Sequence, residues 1–484
     1  MSLALHSDPA LDQLAINTIR FLSVDAINQA NSGHPGLPLG MADVGYILWT
    51  RFMRFDPTDP NWSGRDRFVL SAGHGSMLLY SLLHLTGHDL PLEELRRFRQ
   101  LHSRTPGHPE YGLTPGVETT TGPLGQGLGN AVGLALAARM TDARFASAEF
   151  TPAGGRVFGI MGDGCLMEGI SHEAASFAGH LGLGNLIMVY DDNHITIDGD
   201  TNLTYSDDVV ARFTAYGWHV EQLGEVADDL DALEAGIRRA MAVTDKPSLL
   251  VLRSHIGFPS PDLTDRHEAH GNPFNAEQVG RTKAVMGIPD EPFWAPAELV
   301  AAYRSSCAER GAQAQAAWDA SFASSGANVA EWDACWASAG LPGWADALPT
   351  YEQGEKIATR VAIEKAFNAS LTSVPGLVAG AADLTGNTGT KLAGQIAMTP
   401  EHPEGRQVYY GIREHGMGSL MVGMALHGGL LPAGGTFFVF LDYMRPPVRL
   451  AALSGAKVVF VFTHDSVGVG EDGPTHQPVE HVAT

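Results

Sequence analysis

At 484 residues the chain exceeds what one hydrophobic core usually organises, so two or more domains are expected. Its 44% apolar and 18% charged residues are those of a globular protein, and no apolar run is long enough to span a bilayer. A formal net charge of −23 speaks against nucleic acid or an anionic membrane as the main partner, because phosphate backbones want a basic footprint, but it leaves room for a small phosphorylated ligand.

Three cysteines, Cys165, Cys307 and Cys335, are too few and too scattered for a disulfide framework or a zinc site, which points to a reducing cytoplasm. The first residues lack a basic stretch followed by an apolar one, so no secretory signal is expected. No repeat of 20–50 residues is evident.

Helical periodicity from about Asp12 to Leu48 is interrupted at Asn31-Ser32-Gly33-His34-Pro35-Gly36, where glycine and proline force a loop that presents His34. A charged approach, Arg65-Asp66-Arg67, leads into a short apolar strand, then Ser71-Ala72-Gly73-His74-Gly75 and a helix beginning near Ser76. A third loop histidine follows in Thr105-Pro106-Gly107-His108-Pro109. A lone loop histidine is ordinarily a solvated side chain, but three in similar settings suggest binding groups gathered at the rim of a sheet. Glycine-rich Gly122-Pro123-Leu124-Gly125-Gln126-Gly127 precedes a helix of small residues; it suits close approach to a ring or a phosphate, or merely a tight turn.

The chain is organised around residues 157–195. Val157-Phe158-Gly159-Ile160-Met161 reads as a buried strand that breaks at Gly162-Asp163-Gly164, and Ile187-Met188-Val189-Tyr190 as a second strand ending in Asp191-Asp192-Asn193. This is a β-α-β unit, whose parallel strand ends are where open α/β sheets bind ligands. Asp163, Asn193 and the carbonyl of Ile195 then supply three hard oxygens at one spot, and the Gly164 amide points from a helix start at an anion. Oxygen ligands suit magnesium, which keeps part of its shell for a phosphate. The stretch therefore predicts a diphosphate held through a divalent metal.

Further on, Ser248 to Ser254 reads as a buried strand leading into a long polar loop, 257–272, with His267 and His270. Residues 290–349 read as a helical, proline-containing connector, and a second α/β pattern begins near Thr350. It contains a helix with Arg360, a strand ending at Asp383, and Gly411-Ile412-Arg413-Glu414-His415 where a strand meets an apolar helix. Taken alone, Glu414 between two basic neighbours favours a solvated ion pair, and the stripe Phe437, Phe440, Tyr443 favours core over a cofactor pocket. A strand over 457–462 and the loop from His464 to Pro478 close the sequence, with a helix expected to start after Pro478.

Together these motifs resemble transketolases, thiamine diphosphate- and magnesium-dependent enzymes that move a two-carbon ketol unit between sugar phosphates. The resemblance runs from about Leu11 to the last residue and rests on six stretches in family order: Ser32-Gly33-His34-Pro35-Gly36, Ser71 to Gly75, Gly122 to Gly127, the Gly162-Asp163-Gly164 to Asn193 pairing, Gly411 to His415, and Gly470-Glu471-Asp472-Gly473-Pro474-Thr475-His476-Gln477-Pro478. It implies an α/β fold of two thiamine diphosphate-binding-type domains, each a parallel sheet flanked by helices: 1–289 for the diphosphate and metal, a connector over 290–349, and 350–484 for the aminopyrimidine, the last incomplete. The family continues through a third domain, so the sequence is read as partial.

The resemblance further implies that Asp163, Asn193 and Ile195 hold magnesium, with calcium or manganese as substitutes. His74, Gly122, Pro123, Leu124, Gly164, Glu168, Asn193, His270 and Asp383 would meet the cofactor. Glu414 would touch N1′ of the aminopyrimidine, walled by Phe437, Phe440 and Tyr443. Catalysis would fall to Glu414 with His34, His108, His270 and His476, while His34, His270, Arg360, Asn387, His464, Asp472 and His476 would bind the sugar phosphate. Asn387 stands where the family usually has serine, so altered affinity rather than loss is expected, and Pro259-Ser260-Pro261-Asp262 replaces a customary glycine- and lysine-containing run, so acceptor preference is expected to shift. A homodimer with composite sites is implied, with no nucleic-acid or membrane partner. Alternatives are a formaldehyde-using dihydroxyacetone synthase and a non-catalytic transketolase-like subunit; a nicotinamide-dependent dehydrogenase lacks its glycine fingerprint after the first strand.

Overall fold

A computed structural model describes residues 5–6, 8–147, 150–152 and 154–484. The chain divides into two compact units, the first built from residues 1–128, 155–169 and 184–320, the second from 129–154, 170–183 and 321–484. Among the described residues no helix is long and apolar enough to cross a membrane.

The first unit is centred on a five-stranded sheet of β1 (Arg67–Leu70), β2 (Val157–Gly162), β3 (Leu186–Asp192), β6 (His219–Gly224) and β7 (Ser248–Arg253); β4 (Ile195–Thr196) and β5 (Gly199–Asp200) form a small antiparallel hairpin. The sheet order is β1-β2-β3-β7-β6 and every pairing within it is parallel. That arrangement explains the unbroken apolar runs: Ile187, Met188, Leu249, Leu250 and Leu252 are all buried, as strands covered on both faces must be. Each such side chain contributes about 1.5–3 kcal/mol relative to exposure.

The helix Pro9–Ala30 starts on Asp8, whose carboxylate accepts from the Ala10 amide, and ends where Asn31 turns left-handed (φ 49°). The break expected around Gly33 is therefore real, and it sets His34 just ahead of the helix Gly36–Gly40. The segment 257–272, read as a long polar loop, is pinned instead: Ile256, Leu263 and Ala269 join Phe21, Leu39 and Phe274 in a buried cluster, and Ser260 is buried. The charged approach to β1 is also interior. Arg65 makes a two-pronged pair with Glu118 (Nε–Oε1 and Nη2–Oε2, both 2.7 Å), and Asp66 accepts from the amides of Arg54 and Arg156. Glu118 thereby anchors the residues that lead into the glycine-rich loop.

The second unit carries a four-stranded parallel sheet of β8 (Leu377–Ala381), β9 (Gln407–Tyr409), β10 (Leu431–Phe437) and β11 (Val459–Thr463) in the order β11-β10-β8-β9. Phe367, Val374, Leu377, Ala433 and Val461 form its core. The helices Ala297–Ser324 and Val329–Trp336 occupy the span read as a helical connector. The helix expected after Pro478 does not form; residues there make only the short turn His481–Ala483.

Candidate active site

In the first unit, β2 and β3 end side by side, pairing Gly162 with Asp191. Asp163 opens the short helix Asp163–Met167, is 4% exposed, and accepts from the Tyr190 hydroxyl and from the His194 amide at 3.2 Å. Burial, against the help of those bonds, pushes its carboxyl up to about 6. Asp191 is fully interior and is pushed up to about 7 by the same cause, although Ser254 and the Asn193 side-chain amide (2.9 Å) donate to it. The Asn193 amide is thus fixed, its Oδ1 turned to the Ile195 amide at 2.9 Å.

These groups line a cavity of about 470 Å³ together with His74, Leu124, Gly164, Glu168, Asp198 and His270. Its acidic lining residues are Asp163, Glu168, Asp191 and Asp198, and its lining includes neither lysine nor arginine. Such a cavity repels a bare diphosphate and favours a cation first. The donor set of one carboxylate, one amide oxygen and one backbone carbonyl fits a hard divalent ion. Close backbone packing shapes the wall: a Cβ on Gly73 would meet the Gly122 nitrogen at 2.6 Å, and Gly122 has φ 134°, a conformation that favours glycine.

Around the cavity four imidazoles converge. His34 lies with ring centroids 5.1 Å from His74, 6.3 Å from His108 and 5.7 Å from His270, and His74 stacks on His270 at 4.8 Å. The solvated reading of lone loop histidines fails here because the loops bring them together. Desolvation first, then mutual repulsion, pushes His34 down to about 4 and His74 well below its ordinary value. His108 and His270 are lowered by burial as well. At neutral pH the cluster is uncharged, so it can donate and accept protons without repelling itself.

In the second unit, Glu414 begins the helix Glu414–His427, and its Oε1 accepts from Thr436 at 3.5 Å. The ion-pair reading is not what Arg413 does: its guanidinium donates to the Tyr410 carbonyl (3.0 Å) and to Ser176 (3.2 Å). The aromatic stripe is not core. Tyr443 is 65% exposed, Phe437 and Phe440 are half-buried, and their rings lie parallel at 6.2 Å beyond the carboxyl end of β10. His464 lies against Phe437 at 3.8 Å, tilted by 35°, and His476 meets Phe440 at 5.3 Å, so both histidines join this group. The Asn387 carbonyl accepts from Thr463 at 3.2 Å, while Arg360, Asp383, Asn387 and Asp472 are exposed.

Three residues escaped the sequence reading. Glu173 accepts from the Gly416 amide at 2.7 Å and is raised by burial, with the Glu414 charge adding to it. Tyr190 holds Asp163, and Arg99 reaches Ser32 and His34. Only Tyr190, at the end of its strand, left a local trace.

The fold and the paired strand ends define an enzyme built on thiamine diphosphate-binding domains. Residues 11–338 match the family described as transketolase, thiamine diphosphate binding domain, and residues 355–484 match transketolase, pyrimidine binding domain. The chain is 48% identical over 98% of its length to a transketolase of Geobacillus stearothermophilus, covering 72% of that protein. It is 49% identical over 97% of its length to transketolase 2 of Escherichia coli, covering 71%. A crystal structure of a Pichia stipitis transketolase in complex with sedoheptulose 7-phosphate matches with a TM-score of 0.94 at 44% identity, covering 98% of this chain and 71% of that one. The chain belongs to the transketolase family.

Proposed function

We propose that the protein transfers a two-carbon ketol group from a ketose phosphate, such as xylulose 5-phosphate, to an aldose phosphate, such as ribose 5-phosphate. The observation that carries this is the acid-lined cavity at the ends of β2 and β3, lacking lysine and arginine, with uncharged histidines at its edge. Asp163, Asn193 and Ile195 hold a divalent ion there, magnesium first, with calcium or manganese sharing its preference for oxygen. An ion there would offset the acids and draw the diphosphate, which His74, Gly122, Pro123, Leu124, Gly164 and His270 would border, with Glu168 and Asp383 contributing further contacts.

Thiamine diphosphate, when bound, supplies the electron sink for carbon–carbon bond cleavage. Glu414 holds a proton at N1′ of the aminopyrimidine, which Phe437, Phe440 and Tyr443 enclose. His34, His108, His270 and His476 contact the sugar hydroxyls and move protons, a task suited to imidazoles. Asp472 recognises a donor hydroxyl, and Arg360, Asn387 and His464 receive the sugar phosphate. The functional division is 1–289, 290–349 and 350–484, and the working form is a homodimer in which each site draws on both chains. Its three cysteines form no disulfide and are buried, in keeping with a cytoplasmic protein.

A coupled assay with xylulose 5-phosphate as donor tests this reading. Transfer to ribose 5-phosphate that needs both magnesium and thiamine diphosphate supports it. Transfer to formaldehyde alone assigns the dihydroxyacetone synthase reaction, and cofactor binding without turnover assigns a non-catalytic subunit.

A further inference from the structure

Arg99 lies just beyond the helix Leu92–Arg96 and adopts the left-handed region at φ 61°, where a residue with a Cβ is uncommon. Its amide donates to the Thr105 carbonyl at 2.9 Å, closing the loop 99–105 just ahead of Gly107 and His108. The guanidinium then spans two other segments. Nη1 donates to Ser32 Oγ at 2.9 Å, and Nη2 lies 3.5 Å from His34 Nδ1. The same group packs on Gly107, where a Cβ would stand 3.1 Å from Nε. Nε itself is buried with no hydrogen bond, so this arrangement is held against a cost in unsatisfied polarity.

A guanidinium has five N–H donors and no acceptor. The His34 nitrogen facing it must therefore accept, which leaves the ring's single proton on Nε2. That edge faces the start of the turn after His270: a Cβ on Gly271 would lie 3.6 Å from His34 Nε2. The charged or titratable groups facing His34 are Arg99, His74, His108 and His270. Burial first, and then His270, Arg99 and His108, oppose a positive charge on the ring, in line with its depressed proton affinity.

We infer that Arg99 is a positioning residue: its fork fixes His34 in the tautomer with the proton on Nε2 and ties the His34 loop to the His108 loop. His34 thus meets a sugar oxygen as a hydrogen-bond donor, and proton abstraction falls to another member of the cluster. This deepens the proposed function and rests on it only for the identity of the oxygen that His34 meets.

The test uses the complete holoenzyme and its Arg99→Leu and Arg99→Lys variants. Exchange of each imidazole C2 proton, read by mass spectrometry across pH, reports the protonation midpoint of His34 without substrate. Leucine removes donor and charge, so the midpoint rises by about half a pH unit or more toward 6.5, and kcat/KM falls about tenfold, the size of one hydrogen bond. Lysine keeps the charge but lacks the fork; the midpoint stays low and kcat/KM falls less than for leucine. If Arg99→Leu does not fold, Arg99→Lys carries the test, because its single nitrogen cannot reproduce the fork that sets one nitrogen on Ser32 and another on His34. A His34 midpoint unchanged in Arg99→Leu, or wild-type kcat/KM in Arg99→Lys, overturns the inference. A shifted midpoint in a protein without two-carbon transfer keeps Arg99's hold on His34 and rejects the functional reading instead.

Discussion

In the first unit the candidate site is buried and crowded, whereas in the second its side chains are half-buried or exposed. Asp163 and Asp191 are 4% and 1% exposed, and three imidazoles stand within 6.3 Å of His34. Arg360, Asp472 and Tyr443 are exposed in the second unit. In the first case burial sets the chemistry: carboxylates that cling to protons call for a metal, and histidines that refuse them stay neutral. In the second case the motif sets which groups are offered, and their local surroundings add little. The contrast implies that substitutions in the first unit should disturb stability and metal binding together, and those in the second mainly turnover and substrate affinity.

The largest effect that would break this contrast lies in the second unit. Replacing Glu414 with alanine should lower kcat by about 10²–10⁴-fold, the usual range for a proton-transfer group, while the circular dichroism spectrum and melting temperature stay close to wild type. A large loss of stability would place Glu414 among structural groups. In the first unit, Glu118→Ala strands Arg65 and Arg67 in the interior and should cost about 3–5 kcal/mol in denaturant unfolding. A cost near zero would mean that water reaches the pair.

Asp163→Asn leaves only neutral oxygens for a dication and should weaken magnesium-dependent thiamine diphosphate binding by at least about 100-fold in calorimetry. Unchanged affinity would move the metal elsewhere. The histidines add a pH signature. The His34 value in the folded protein, about 4, lies below its ordinary 6.5, so between these values the unfolded chain binds more protons than the folded one. Stability should therefore fall as pH drops from about 6.5 to about 4, and thermal unfolding of His34→Asn should show a shallower slope in that window. The smallest expected effect is in the exposed half: Asn387→Ser should change KM for a phosphorylated donor several-fold or less, the scale of one solvent-exposed hydrogen bond, with kcat retained.

Much of this architecture was legible in the sequence because it is written locally. Glycines flanking Asp163, the acid and amide after Tyr190, and the loops around His34, His74 and His108 all mark strand ends by turn chemistry. What remained hidden depends on partners far along the chain. Arg65-Asp66-Arg67 reads as a wet approach to a strand, yet Arg65 is answered by Glu118, 53 positions away. Glu173 finds the Gly416 amide across 243 positions, and Arg99 reaches His34 across 65. Periodicity failed for Phe437, Phe440 and Tyr443, since a spacing of three residues places groups on one side of a turn without saying whether protein or solvent faces them. The helix expected after Pro478 is absent, since a proline permits a helix start without requiring one.

The most direct test of the account is calorimetric titration of the protein with thiamine diphosphate, once with magnesium and once with a chelator. The acid-lined cavity predicts saturable binding with magnesium and none without it. Equal binding under both conditions, or no binding with magnesium present, would contradict a metal-bridged diphosphate at Asp163.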